Sequence, residues 1–277
     1  MFEDNPILQK ALNRSINVGL AGYGAMTFQV GSMMWLRTTM NYQFKNGGGT
    51  KDTIKLLYKE GGIRRFYRGV GFALINAPLS RFGDTAANMA ALTLLEDSDL
   101  NRAQKTFVGS IGASTWRIGI IPVDSFKSHL QVYGKDGMGI LNKKIKANGF
   151  RQLYNGGGAL FTATLVGHFP WMYSYNYLQD NLPYKNSDYG AVTFMRSGTI
   201  GFLSSASSDI ISNSVRVLKI SKQTASNESY SHIVKDIVKK ESVIGLFTRG
   251  LKTKLLINGI QGFIFVIVFD KLKKIMA

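Results

Sequence analysis

Residues 110–134 read SIGASTWRIGIIPVDSFKSHLQVYG. A run of small and apolar residues passes into Pro122, Asp124 and Lys127 without leaving the helical pattern. Proline removes a backbone donor and collides with the preceding turn, so a helix through Pro122 is kinked or broken there. Asp124 and Lys127, three positions apart, share one face of that helix. Charges in an otherwise apolar helix are costly unless partners or water satisfy them, so these residues need an explanation.

The same outline returns on either side. Arg37 in SMMWLRTTMN and Arg216 in ISNSVRVLKI lie 90 residues before and 89 residues after Lys127. Each is followed by a second segment, EGGIRRFYRG, NGFRQLYNG and ESVIGLFTRG, ending at Gly69, Gly156 and Gly250. A third set follows: INAPLSRFGD, VGHFPWMYSY and INGIQGFIFV. The chain divides into three tandem repeats, residues 12–95, 103–182 and 189–276. Each reads as a helix, a basic connection with a short amphipathic helix, and a second helix.

The 277 residues carry 34 Lys and Arg against 17 Asp and Glu, a net charge of +17, so the partner is anionic: lipid, solute or nucleic acid. There is no cysteine, which excludes disulfides, thiolate metal sites and a cysteine nucleophile. His129, His168 and His232 are scattered and have no metal-ligand spacing, so no metal is expected. Glu3 and Asp4 argue against a cleaved targeting peptide.

Segments 106–123, 157–179, 189–208 and 255–269 carry few charges, and each is expected to cross about 30 Å of hydrocarbon. Their Gly, Ala, Ser and Thr suit close helix packing in a membrane. The connections 42–68 and 134–156 are basic whereas EDSDLNR, residues 96–102, is acidic, an alternation that fits hairpins crossing a bilayer. A soluble basic helical protein is the competing reading.

These motifs resemble the mitochondrial carrier family, whose repeat carries Px[DE]xx[KR], an acid-Gly pair and [FWY][KR]G. The second repeat is the best fit, through Pro122, Asp124, Lys127 and Gln131, then Gly149, Tyr154 and Gly156. The resemblance implies an all-α membrane protein of six transmembrane helices in a threefold pseudo-symmetric barrel, with short matrix helices. It implies the mitochondrial inner membrane, both termini in the intermembrane space and the basic loops in the matrix. Pro122 then hinges a matrix gate in which Arg37, Lys127 and Arg216 pair with acids on neighbouring odd-numbered helices. In the register of Asp124 the other repeats offer Met34 and Asn213, so three cations share one acid. The family's second gate, [FY][DE]xx[KR], survives as Asp270 and Lys273, with Asp180 in the second repeat and Asn88 and Ala91 in the first.

The resemblance also places a solute against Asn76, His168 and Asn258, with Gly167 beside them and Arg117 as cationic anchor. Interhelical hydrogen bonding is the plainer reading of that polar trio, and a local pair with Asp84 is the simpler account of Arg81. Gly69, Gly156 and Gly250, with Arg68, stand where helix N-termini favour anions, and similar carriers hold cardiolipin there. ADP/ATP carriers have a basic cavity triad that would fall at Thr27, Ile75 and Asn258, none of them charged, so nucleotide exchange is not expected. NGGGT and NGGGA lack the GK[ST] ending of a phosphate loop, and no nucleophile elbow occurs, so the chain is not read as an enzyme. Aromatic residues such as Trp171 and Tyr173 stand in an apolar helix rather than among cations, against nucleic-acid binding. Two functions follow: exchange of a small anionic metabolite through one central site, or a transport-silent subunit of an inner-membrane assembly such as a respiratory complex.

Overall fold

A computed structural model describes residues 28–183, 190–225 and 228–261. Among the described residues every regular element is helical. In chain order they are α1 (28–46), α2 (Thr50–Phe66), α3 (Val70–Leu94), α4 (Arg102–Gly119), α5 (Ile121–Tyr133), α6 (Gly137–Asn148), α7 (Gly157–Asn181), α8 (Gly190–Thr224), α9 (Tyr230–Thr248) and α10 (251–261). Short 3-10 turns, Gly134–Asp136 and Phe150–Tyr154, flank α6.

Local chemistry sets the boundaries. Asn101 and Gln104 form a reciprocal capping box at the start of α4, and Ser229 accepts from the His232 amide to begin α9. The stretch 110–134 is divided as its proline demands: α4 stops at Gly119, Ile120 leaves helical geometry, and α5 resumes with Pro122 in its first turn. Gly69 and Gly156 hold φ of 81° and 84° immediately before α3 and α7, a left-handed turn that side chains resist.

The long helices are neighbours in a fixed order. Val30 and Met34 of α1 pack on Ala73, Leu74 and Ala77 of α3. α3 runs along α4, α4 along α7, and α7 along α8. Asn258 of α10 bonds Asp209 of α8, and Ile257 and Ile260 of α10 return to Met33 and Leu36 of α1.

The three connections repeat one set of contacts. Within each repeat a polar side chain of the first helix bonds the end of the short segment: Thr38 to the Phe66 carbonyl (2.6 Å), Ser125 to Leu153 (2.6 Å) and Asn213 to Phe247 (2.8 Å). Between repeats, the glycine before each second helix lies against the first helix of the next repeat. A methyl group on Gly69 would stand 3.2 Å from the Lys127 carbonyl, on Gly156 2.9 Å from that of Lys219, and on Gly250 3.2 Å from that of Met40. A cation from each connection then binds the carbonyls that end that same neighbouring helix. Arg65 donates to Gln131 (2.9 Å) and Val132 (3.0 Å), Lys144 to Thr224 and Ala225, and Arg249 to Lys45 (3.0 Å). Helix C-termini expose unpaired carbonyls and the negative end of the dipole, so a cation satisfies both.

The interior is polar and the outside is not. Buried side chains include Ser110, Ser114, Ser128, Ser204, Ser208, Ser212 and Thr253, and buried polar residues outnumber buried apolar ones. Phe107, Ile111, Val166, Phe169, Phe202, Ile210 and Ile211 are exposed on the long helices. This reverses the usual water-soluble arrangement. At 1.5 Å per residue α3 and α7 are about 38 Å long. No described helix, however, is both long enough and apolar enough to cross a membrane by hydropathy, contrary to the spans expected at 106–123, 157–179 and 189–208; that at 255–269 lies partly outside the described residues. The reason is that serine, threonine, asparagine and charged residues are interspersed with the apolar ones along these helices, which lowers their mean hydropathy.

Gly156→Ala places a methyl against the Lys219 carbonyl at a left-handed φ, and should destabilise by about 1–3 kcal/mol. Gly158→Ala, two residues on in open helical surface, should stabilise by up to about 1 kcal/mol. Thermal unfolding of the two variants in detergent compares them directly. Lys144 offers a pH test, because burial, then the neighbouring charge of Lys45, pushes its pKa down to about 8 from 10.5. The folded chain releases this proton near pH 8 while the unfolded chain keeps it to about 10.5, so the Lys144 contribution to stability rises across that interval and is flat below it. Melting temperatures from pH 7 to 10 should rise less steeply in Lys144→Met than in the parent.

Candidate functional site

Where α3, α5 and α8 meet, the Asp124 carboxylate is buried and fully occupied. Oδ1 accepts from Lys127 Nζ one turn along α5 and from Asn76 Nδ2 of α3 at 3.0 Å. Oδ2 accepts from Lys219 Nζ and from Gln223 Nε2 at 3.2 Å, both on α8. Gln223 also donates to Ser125 (2.9 Å), and Gln131, one turn beyond Lys127, accepts from Asn41 of α1. One acid of the second repeat thus holds side chains of the first and third. Two ammonium groups and two amides around it offset the cost of burying the carboxylate.

Two further carboxylates lie in the same interior. Asp84 of α3 receives both arms of Arg117 from α4, with Nε to Oδ1 at 3.0 Å. Asp209 of α8 accepts from Asn258 on Oδ2, while Arg216 and Lys254 approach its Oδ1 only to 3.9 and 4.0 Å. Arg37 lies within electrostatic reach of Lys254, and its Nε is buried with no hydrogen-bond partner. Among the described residues this connected interior sets six cations, Arg37, Arg117, Lys127, Arg216, Lys219 and Lys254, against three acids.

The structure redistributes the expected matrix gate. Of Arg37, Lys127 and Arg216, only Lys127 reaches Asp124; Arg216 turns to Asp209 and Ser212, and Lys219 takes its place. The three glycine turns contact Met40, Lys127 and Lys219, so those three are equivalent in packing, and the register read from charge is displaced by three residues in the first and third repeats. Three residues are nearly one helical turn, and a cation stands at both positions in the third repeat. Pro122 does break its helix as read from sequence.

The expected solute trio is engaged within the protein. Asn76 bonds Asp124, Asn258 bonds Asp209, and His168 Nδ1 lies 2.6 Å from Ser110 Oγ of α4. Gly167 marks the close approach of α7 to α8, where its carbonyl accepts from Ser208 at 2.6 Å and an added methyl would meet Ser208 and Ser212. Arg117, expected as a free anchor, is salt-bridged, and it engages from across the helix interface the Asp84 assigned from sequence to a local pair with Arg81. Of the second gate, Asp180 sits in the last turn of α7, while Asp270 and Lys273 lie outside the described residues. Gly69, Gly156 and Gly250 stand at the starts of α3, α7 and α10, with no side-chain cap at the first two, and Arg68 is exposed beside Gly69.

Sequence reasoning missed Lys219, Asp209 and Lys254, and gave Asp84 only a local pair with Arg81. Asp209 and Lys254 stand one residue beyond the low-charge segments 189–208 and 255–269, so a charge census carried into their flanks would have raised both.

The described residues thus place a polar, charge-bearing interior among three related helical units. Residues 190–277 match the mitochondrial carrier protein family. The calcium-dependent mitochondrial ATP-magnesium/phosphate carrier protein 2 of Arabidopsis thaliana is 29% identical over 175 residues, which cover 58% of this chain and 35% of that protein. Protein dif-1 of Caenorhabditis elegans is 34% identical over 139 residues, 44% of this chain and 41% of that protein. The matched stretches thus span less than half the length of either relative. This chain is thus similar to mitochondrial carrier proteins over part of its length.

Asp124→Asn strips the carboxylate from two buried ammonium groups and should cost about 3–5 kcal/mol. Pairing it with Lys219→Met should recover part of that loss, and thermal unfolding of single and double variants reads the coupling.

Proposed function

We propose that this protein carries a small anionic solute across the mitochondrial inner membrane by alternating access through its polar interior. The observation that carries this reading is the charge imbalance there: among the described residues, six cations stand against three carboxylates, within helices whose outer faces are largely apolar. Unbalanced buried cations repel, and a mobile anion relieves them. The cyclic order of helix neighbours, α1, α3, α4, α7, α8, α10 and back to α1, supports a six-membered ring of spanning helices in three repeats. On this reading the short helices α2, α6 and α9 lie on the matrix side, and the chain is multi-pass. The solute passes Asn76, His168 and Asn258, exchanging the internal bonds of those side chains for its own.

The Arabidopsis relative, named for ATP-magnesium and phosphate, fits an anionic cargo. The uncapped amides following Gly69 and Gly156, near Arg68, and the matching turn at Gly250 suit the phosphates of cardiolipin at the matrix face.

The purified protein in liposomes preloaded with phosphate or dicarboxylate should take up labelled anion saturably, and Arg216→Gln should lower the initial rate about tenfold. Uptake no greater than in protein-free liposomes for every anion tried would overturn the proposal.

A further inference from the structure

We propose that Arg37, Arg216 and Lys254 form a binding site for a compact dianion of phosphate type, and that this anion stands in for gate carboxylates the chain lacks. The inference rests on the carrier reading and names the chemistry its cargo would present at one place.

The site lies at the seam of the first and third repeats, between α1, α8 and α10. In the packing register set by the glycine turns, Met40, Lys127 and Lys219 are equivalent, so the counterparts of Asp124 in the first and third repeats are Arg37 and Arg216. Cations stand where the family pattern has gate acids. One turn earlier, Met34 and Asn213 supply no charge: Met34 is buried against Val30 and Ala73, and Asn213 donates to the Phe247 and Arg249 carbonyls. The second repeat has no surplus acid to lend, because Asp124 is already filled by Lys127, Lys219, Asn76 and Gln223.

The one local carboxylate, Asp209, is committed to Asn258 through Oδ2. Arg216 and Lys254 stand off its other oxygen at 3.9 and 4.0 Å, beyond hydrogen-bond length. Arg37, with its buried and unpartnered Nε, adds a third positive charge within reach of Lys254. Arg117 and Asp84, which also act on Arg216, are paired with each other, so among the described residues three cations and one acid leave a deficit of two negative charges. The side chains of Arg216 and Lys254 remain 28% and 21% exposed, so a small solute can reach them. Two guanidinium groups and an ammonium at the one seam where α1 packs on α10 suit a compact multi-oxygen dianion, since guanidinium forks onto paired oxygens and ammonium acts as a point charge.

The consequence is mechanistic. In a carrier with three complete ion pairs, closing the gate is driven by protein groups alone. Here the third of the ring at this seam closes fully only with the anion bound, so the empty protein is poorly able to reorient and exchange is favoured over net movement.

The test uses full-length protein in neutral detergent, stripped of lipid, with unfolding followed by the fluorescence of its three tryptophans. Sodium phosphate, against sodium chloride at equal ionic strength, should raise the melting temperature on the order of 5 °C. Arg37→Gln and Lys254→Met should each abolish that rise while leaving the phosphate-free melting temperature unchanged or higher, because like charges have been removed. Met34→Asp, which restores an acid one turn from Arg37, should weaken the phosphate response. A parallel arm adds dioleoyl phosphatidate in place of phosphate: a rise with this lipid alone, lost in the same variants, assigns the site to a lipid headgroup. No rise with either probe, or an undiminished rise in both Arg37→Gln and Lys254→Met, overturns the inference. Saturable anion uptake into liposomes in that event would leave the carrier reading intact, whereas a phosphate-specific melting shift with no uptake of any anion would retain the site and remove the carrier.

Discussion

The Asp124 carboxylate is the point on which the interior depends. Its oxygens take two lysines, an asparagine and a glutamine from three helices belonging to three different repeats. A buried carboxylate with that many donors is stable only while all of them are in place, and each donor is in turn held by its own helix. The break at Ile120 and Pro122 matters for the same reason. By ending α4 and restarting α5 it sets the direction of the half-helix that carries Asp124 to the meeting point of α3 and α8. The interior is therefore closed by one fully satisfied acid rather than by three equivalent pairs.

Symmetry persists in the backbone after it has been lost in the side chains. The three glycine turns keep the same contact with the next repeat, and the three connections keep a cation on the carbonyls that end its first helix. The cations themselves occupy unrelated positions: Arg65 four residues before Gly69, Lys144 twelve before Gly156, Arg249 directly before Gly250. A helix C-terminus asks only for positive charge within reach, and long flexible side chains meet that demand from many positions. Glycine has no such freedom, because the left-handed turn and the close carbonyl fix both residue type and place.

That difference explains what could be read from the chain. The repeat spacing, the glycine turns, the helix break at Pro122 and the importance of Asp124 all follow from residues whose covalent structure permits few alternatives. The partners of Asp124 do not. Arg216 and Lys219 are one turn apart on α8, and only packing of α7 and its glycine turn against that helix selects Lys219. Asp84 and Asp209 drew no motif because their partners, Arg117, Asn258 and the more distant Lys254, come from other helices or from across a repeat boundary. The spanning segments were overdrawn in apolar character for a related reason: the face that meets Ser204, Ser208 and Ser212 inside is as polar as the outer face is not.

The asymmetry has an energetic meaning. Complete ion-pair rings let a carrier balance two closed states against each other using its own charges, so that a small preference of the solute tips the equilibrium. Here the second repeat contributes a saturated acid while the seam of the first and third carries excess positive charge. Repulsion at that seam raises the energy of any state that brings Arg37, Arg216 and Lys254 together, and negative charge from a bound anion lowers it again. On the carrier reading proposed above, missing gate acids transfer part of the closing energy from protein to cargo, and so tie reorientation to occupancy more tightly than a complete ring of carboxylates would.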